Sequence, residues 1–186
     1  MKIVATAILA GLFSAAGFGQ QYPAPLTPLP AVPLPAGIVV EFSADGADIV
    51  GDVAKYIAAA KHEVLVSEYL VTDIRVLEAL AEACQRNRFV AVVLDRSPAV
   101  RNYDTPRYLR SQGIPVVLAP RGADGHGWHN ERFLVIDREL VITTTCDLTL
   151  AAARNTESMR VDREVAIMTR YFNAWIAEAG RGTRLQ

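Results

Sequence analysis

The sequence predicts an α/β domain with a mixed, mostly parallel sheet covered by helices on both faces. Three observations carry that prediction. Short β-branched runs alternate with helical apolar spacing from about residue 37 onward. One run, Phe89 to Leu94, has no polar residue, as a strand buried on both faces requires. The chain of 186 residues is 51% apolar with a net charge of -1, enough to bury one substantial core.

Residues 1 to 19 stand apart from that core. Lys2 precedes an apolar run from Ile3 to Phe13 and then small residues, Ser14-Ala15-Ala16 or Gly17-Phe18-Gly19, which suit signal cleavage. The run falls short of the roughly 20 residues that a spanning helix needs. A cleaved signal peptide, with export to the periplasm or the medium, is therefore expected. Loss of Lys2 takes the formal charge from -1 to -2, so the mature chain has no long-range attraction for a polyanion unless a local basic patch supplies one. Residues 20 to 36 include six prolines between Tyr22 and Pro35, which fix φ and remove backbone donors. They are expected to form an extended linker, leaving residues 37 to 186 as a single domain.

Within the domain, Ile38 to Phe42 reads as a strand, and Ile49, Val53, Ile57 and Ala60 place a helix over about 48 to 61. Glu63 to Leu70 is the next strand. Asp73 then caps a helix with Ile74, Leu77, Ala81 and Cys84 on one face. The Phe89 to Leu94 strand follows, then a loop to Asp104, a short helix from Thr105 stopped by Gly113, and a strand over Ile114 to Leu118. After a Gly- and Pro-rich loop, the runs Phe133 to Ile136 and Leu140 to Ile142, joined by Asp137 to Glu139, predict a hairpin. A short helical segment over 148 to 153, a strand over 158 to 161 and a last helix over 164 to 179 complete the chain. In that helix Val165, Met168, Phe172 and Trp175 are read as core.

The hairpin opens on His129, Asn130 and Arg132 and closes on Thr144, Thr145 and Asp147, so its open end gathers polar groups. Cys84 and Cys146 allow either one disulfide or two separate thiols. With no Cys-x-x-Cys and no H-E-x-x-H spacing, neither a metal nor a cofactor is expected.

The stretch around R-F-L-V-I-D resembles the phospholipase D superfamily, whose signature is H-x-K-x4-D, then G-S-x-N, then a glutamate. In that register the motif Lys falls on Arg132, the Asp on Asp137 and the His on Asn130; the Gly-Ser pair falls on Thr144 and Thr145, the Asn on Asp147 and the Glu on Glu157. F-S-x-x-G near the start, A-K-H before the second strand and Q-G-I-P-V before the fourth extend the likeness to the short exported bacterial nucleases of the Nuc type. The resemblance implies a homodimer with two motifs meeting across a two-fold axis, and a phosphodiester substrate in nucleic acid or phospholipid.

It also implies a chemistry in which one His attacks phosphorus, a second His protonates the leaving oxygen, and Lys, Ser and Asn groups hold the phosphoryl oxygens. Asn130 cannot serve as that nucleophile. His129 and His126 are the candidates to replace it. Strand alternation turns His129 away from Asn130 unless a bulge intervenes, whereas His126 lies in the loop Gly125-His126-Gly127. Arg132, Thr144, Thr145 and Asp147 are the candidate phosphate-binding residues, although Asp147 repels an anion unless something offsets it. Asp137 and Glu157, which back the catalytic His in the family, can instead pair with Arg132. Two readings follow: a phosphodiesterase with a displaced His, or a catalytically inactive homodimer that binds an anion or a partner. On the residues alone, Asn130→His, Arg132→Lys and Asp147→Asn rebuild the pattern.

Overall fold

The computed structural model describes residues 33–97, 104–119 and 127–185. The expected signal peptide and most of the linker lie outside the described residues, as do His126 and most of the loop that carries it. Among the described residues, eight strands form one sheet in the order β1-β7-β6-β5-β2-β3-β4-β8. These are β1 (Ile38–Phe42), β2 (Glu63–Glu68), β3 (Phe89–Leu94), β4 (Val116–Leu118), β5 (Arg132–Ile136), β6 (Leu140–Thr144), β7 (Ser158–Asp162) and β8 (Thr183–Arg184). The helices are α1 (Ile49–Ala58), α2 (Ile74–Gln85), α3 (Thr105–Ser111) and α4 (Val165–Arg181).

The local signals act as expected. Asp48 accepts from the Gly51 amide at the start of α1, and Asp73 accepts from Arg75 at the start of α2. Gly113, at φ 80°, ends the turn that follows α3. Leu148 to Ala153 tightens into a 3-10 turn over Leu150–Arg154. The two-residue strand β8 pairs with Val117 and Leu118 and was not expected.

Two apolar clusters sandwich the sheet. One joins Val53 and Ile57 of α1, Val76 and Leu80 of α2 and Leu109 of α3 to Val64, Val66, Leu134 and Ile142. The other joins Trp175 of α4 to Leu65, Val93, Phe133 and Val135, with Met168 and Phe172 packed at its edge. Alternation along β2 and β5 therefore decides which face each polar residue meets. Val165 departs from the expected stripe: it is exposed at the start of α4.

The mixed sheet with helices on both faces is as expected, but parallel neighbours are its minority. Among the described pairs of named strands, only β2–β3 and β3–β4 are parallel. Parallel strands need a crossover, which α2 and α3 supply. The β5–β6 pair is closed by a tight turn with left-handed Asp137 (φ 56°) and Arg138 (φ 52°), and β7, β1 and β8 add antiparallel strands outside it.

Candidate functional site

The open end of the β5–β6 hairpin brings together Arg132, Asp147, Thr144, Thr145 and Glu157, in two hydrogen-bonded groups. Arg132 Nε donates to Asp147 Oδ1 at 2.8 Å, with both side chains about three-quarters buried at 24% and 26% exposure. Thr145 Oγ1 donates to Glu157 Oε2 at 2.5 Å, while Asn155 Nδ2 donates to the other carboxylate oxygen. Thr144 Oγ1 donates to the carbonyl of Cys146, so its hydroxyl closes a local turn. Asn130, two residues before β5, is exposed.

Cys146, between Thr145 and Asp147 in the chain, is buried. It is a free thiol, as is Cys84, so no disulfide joins them. Burial pushes the Cys146 thiol up to about 12, and the charge of Glu157 acts in the same direction. It is therefore inert as a nucleophile near neutrality. A crevice of about 390 Å³ opens beside Glu157, lined by Ser43, Asp48, Arg75, Cys146 and Leu150 among others. Arg132 and Asp147 are not among its lining residues.

Glu68 is the residue that sequence reading missed. It ends β2, pairs in register with Arg132 on β5, and is fully buried with neither carboxyl oxygen hydrogen-bonded. Burial raises its pKa well above the ordinary carboxylate range; the Asp147 charge adds to this and Arg132 opposes it. The signal was a glutamate inside a strand that otherwise reads as core, but its meaning depends on the β2–β5 register.

Two expected members do not join the group. His129 turns to the opposite face, as strand alternation requires: its Nε2 lies 2.8 Å from Ser67 Oγ, and Ser67 donates to Glu178 on α4 at 2.6 Å. The His129 amide donates to Asp95, so the residue fastens the approach to β5 instead of facing Arg132. Glu178 is held above the usual carboxylate range by burial, against the pull of Ser67 and His129.

Asp137 sits at the far end of β5. Its carboxylate accepts from the amides of Lys61, His62 and Glu63 at 2.9, 2.7 and 2.9 Å. It does not pair with Arg132, because the four intervening strand residues separate the two by roughly 16 Å at about 3.3 Å per residue. Burial alone would raise its pKa, but the three amides outweigh that and hold it below the usual value.

Among the described residues no group of three or more His, Cys, Asp or Glu side chains is arranged to hold a metal ion, and no helix is long and apolar enough to cross a membrane.

Comparison with known proteins agrees with this fold. The chain is 25% identical over 130 residues to a phospholipase D of Rickettsia bellii, a match covering 69% of this chain and 63% of that relative's length. Its fold is similar to that of Nuc, a phospholipase D family member from Salmonella typhimurium, with a TM-score of 0.71 at 20% identity, covering 80% of this chain and 97% of Nuc. It is similar also to NucT from Helicobacter pylori, with a TM-score of 0.70 at 15% identity, covering 80% of this chain and 99% of NucT. The family model described as "Cardiolipin synthase, PLD-like domain" matches residues 53–176, from within α1 to near the end of α4. With six of the eight described strands, the hairpin and most of its length inside that match, the chain belongs to the phospholipase D-like domain family.

Proposed function

We propose that this chain is an exported homodimer on the phospholipase D-like scaffold that has lost phosphodiester hydrolysis and now serves as a binding protein through its site face. The observation that carries this reading is the Arg132–Asp147 pair at 2.8 Å, which occupies the motif's basic residue with an internal carboxylate. A phosphoryl group would have to displace that carboxylate before reaching the guanidinium, whose bidentate fork otherwise suits phosphate. The nucleophile's position holds Asn130, and the imidazole of His129 is engaged on the other face. Glu157 adds further negative charge to the same end of the hairpin. Binding of a partner surface fits this charge balance better than binding of a free phosphodiester.

Purified mature protein is expected to leave bis(p-nitrophenyl) phosphate and plasmid DNA uncleaved, with and without divalent metal. Turnover by the wild-type chain that His126→Ala or His129→Ala abolishes would overturn the reading in favour of a displaced-His phosphodiesterase. Export rests on the signal-like residues 1 to 19, and the homodimer on the presence of one motif copy in the chain. Light scattering at micromolar concentration is expected to give twice the mass of the mature chain; a monomer would remove the dimer from the proposal.

A further inference from the structure

We propose that Glu68 is a second, buried counterion for Arg132, held in reserve behind Asp147, so that two carboxyl groups rather than one close the site to phosphate. This inference rests on the non-catalytic reading above and deepens it. The β2–β5 pairing sets Glu68 directly opposite Arg132, where cross-strand side chains interact. Glu68 shares the face of Val66, and Arg132 shares that of Leu134, so both point into the same side of the sheet.

Neither carboxyl oxygen of Glu68 has a hydrogen-bond partner, although the residue is fully buried. Buried carboxyls without partners are rare, because desolvation opposes the charged form and an unmade hydrogen bond penalises the neutral one. Arg132 is the basic group that acts on it. A guanidinium carries five donors, and the Arg132 hydrogen bond to Asp147 uses Nε.

The consequence concerns what happens when Asp147 is neutralised. With Asp147 ionised, Glu68 stays protonated, since burial and the nearby negative charge both favour the neutral acid. Asp147→Asn removes the second of these effects and leaves Arg132 without its carboxylate. Glu68 then loses its proton to solvent and pairs with Arg132. Phosphate meets an occupied guanidinium again, so the change that seems to reopen the site does not.

Titration of the mature chain with inorganic phosphate near neutral pH tests this by calorimetry. Wild type and D147N are expected to bind weakly and alike, and E68Q/D147N to bind about tenfold or more tightly than D147N, as expected when a charged hydrogen bond is freed. Equal affinity of D147N and the double variant would overturn the proposal. A second readout does not need the double variant to fold. The infrared carbonyl band of a protonated carboxyl, assigned to Glu68 by its loss in E68Q, is expected in wild type and absent from D147N. Its persistence in D147N at the same pH would equally overturn the proposal. Either failure is separate from that of the non-catalytic reading, which falls only if the wild-type chain hydrolyses phosphodiesters.

Discussion

A chain carrying Asn130→His, Arg132→Lys, Asp147→Asn and Glu68→Gln is expected to hydrolyse bis(p-nitrophenyl) phosphate without metal, at least about a hundredfold above the wild type. The three motif changes without the fourth are expected to stay at background. The first substitution supplies the nucleophile. In a homodimer its counterpart on the second copy supplies the general acid, so one change introduces both imidazoles. The second and third free a cation for the phosphoryl oxygens, as the developing charge requires. The fourth is needed because Glu68, opposite position 132 and with both oxygens unpartnered, otherwise takes the freed ammonium as its own counterion. Turnover by the triple variant equal to that of the quadruple would show that Glu68 has no hold on the site. A quadruple variant that is folded and dimeric yet inert would show that the phosphoryl pocket itself has been lost.

Why the fourth residue was hidden and the other three were not follows from the kind of information each needs. The motif positions lie within one hairpin, so their mutual placement is set by local chain direction and a tight turn. The β5–β6 register pairs Phe133 with Thr143 and leaves Arg132 near Thr144 at the open end. The same period-2 logic turned His129 to the other face, where Ser67 and Glu178 meet it. Glu68 is 64 positions from Arg132, and only the antiparallel pairing of β2 with β5 makes them neighbours. That pairing also explains the sheet's departure from expectation. Strand-helix alternation suggests mostly parallel neighbours, yet the hairpin sits beside β2 and interrupts the parallel series there. The partners of His129 were equally remote, since Ser67 comes from β2 and Glu178, 3.8 Å away, from the last helix. Sequence pattern thus located the elements and the hairpin's polar end, while long-range pairing decided which charges meet.

Asp137→Ala is expected to lower stability by about 2–4 kcal/mol, from lost charged hydrogen bonds and left-handed strain together. For a domain of this size that corresponds to roughly 5–15 °C in melting temperature. The carboxylate holds the amides of Lys61, His62 and Glu63, while the neighbouring Arg138 pairs with Glu63 and lies over the ring of Phe172 at 4.7 Å. Together they fasten the hairpin turn to the start of β2. The backbone at Asp137 has φ 56°, which Asp, Asn and Gly tolerate better than Ala. Asp137→Gly removes the strain but not the loss of the acceptors, so it is expected to remain clearly destabilised. A Gly variant as stable as wild type would assign the effect to backbone strain alone. The pH dependence has a definite sign, because the three amides depress the folded-state pKa below that of a free aspartate. The stabilisation by the ionised Asp137 is therefore complete above the unfolded pKa, and it disappears as pH falls through the folded value. Wild type and Asp137→Asn should accordingly converge in strong acid and diverge above about pH 4. In the quadruple variant, Asp137→Asn is expected to leave turnover per folded molecule unchanged, since its carboxylate lies at the end of β5 away from Arg132. A loss of turnover with stability intact would instead give Asp137 a part in the chemistry.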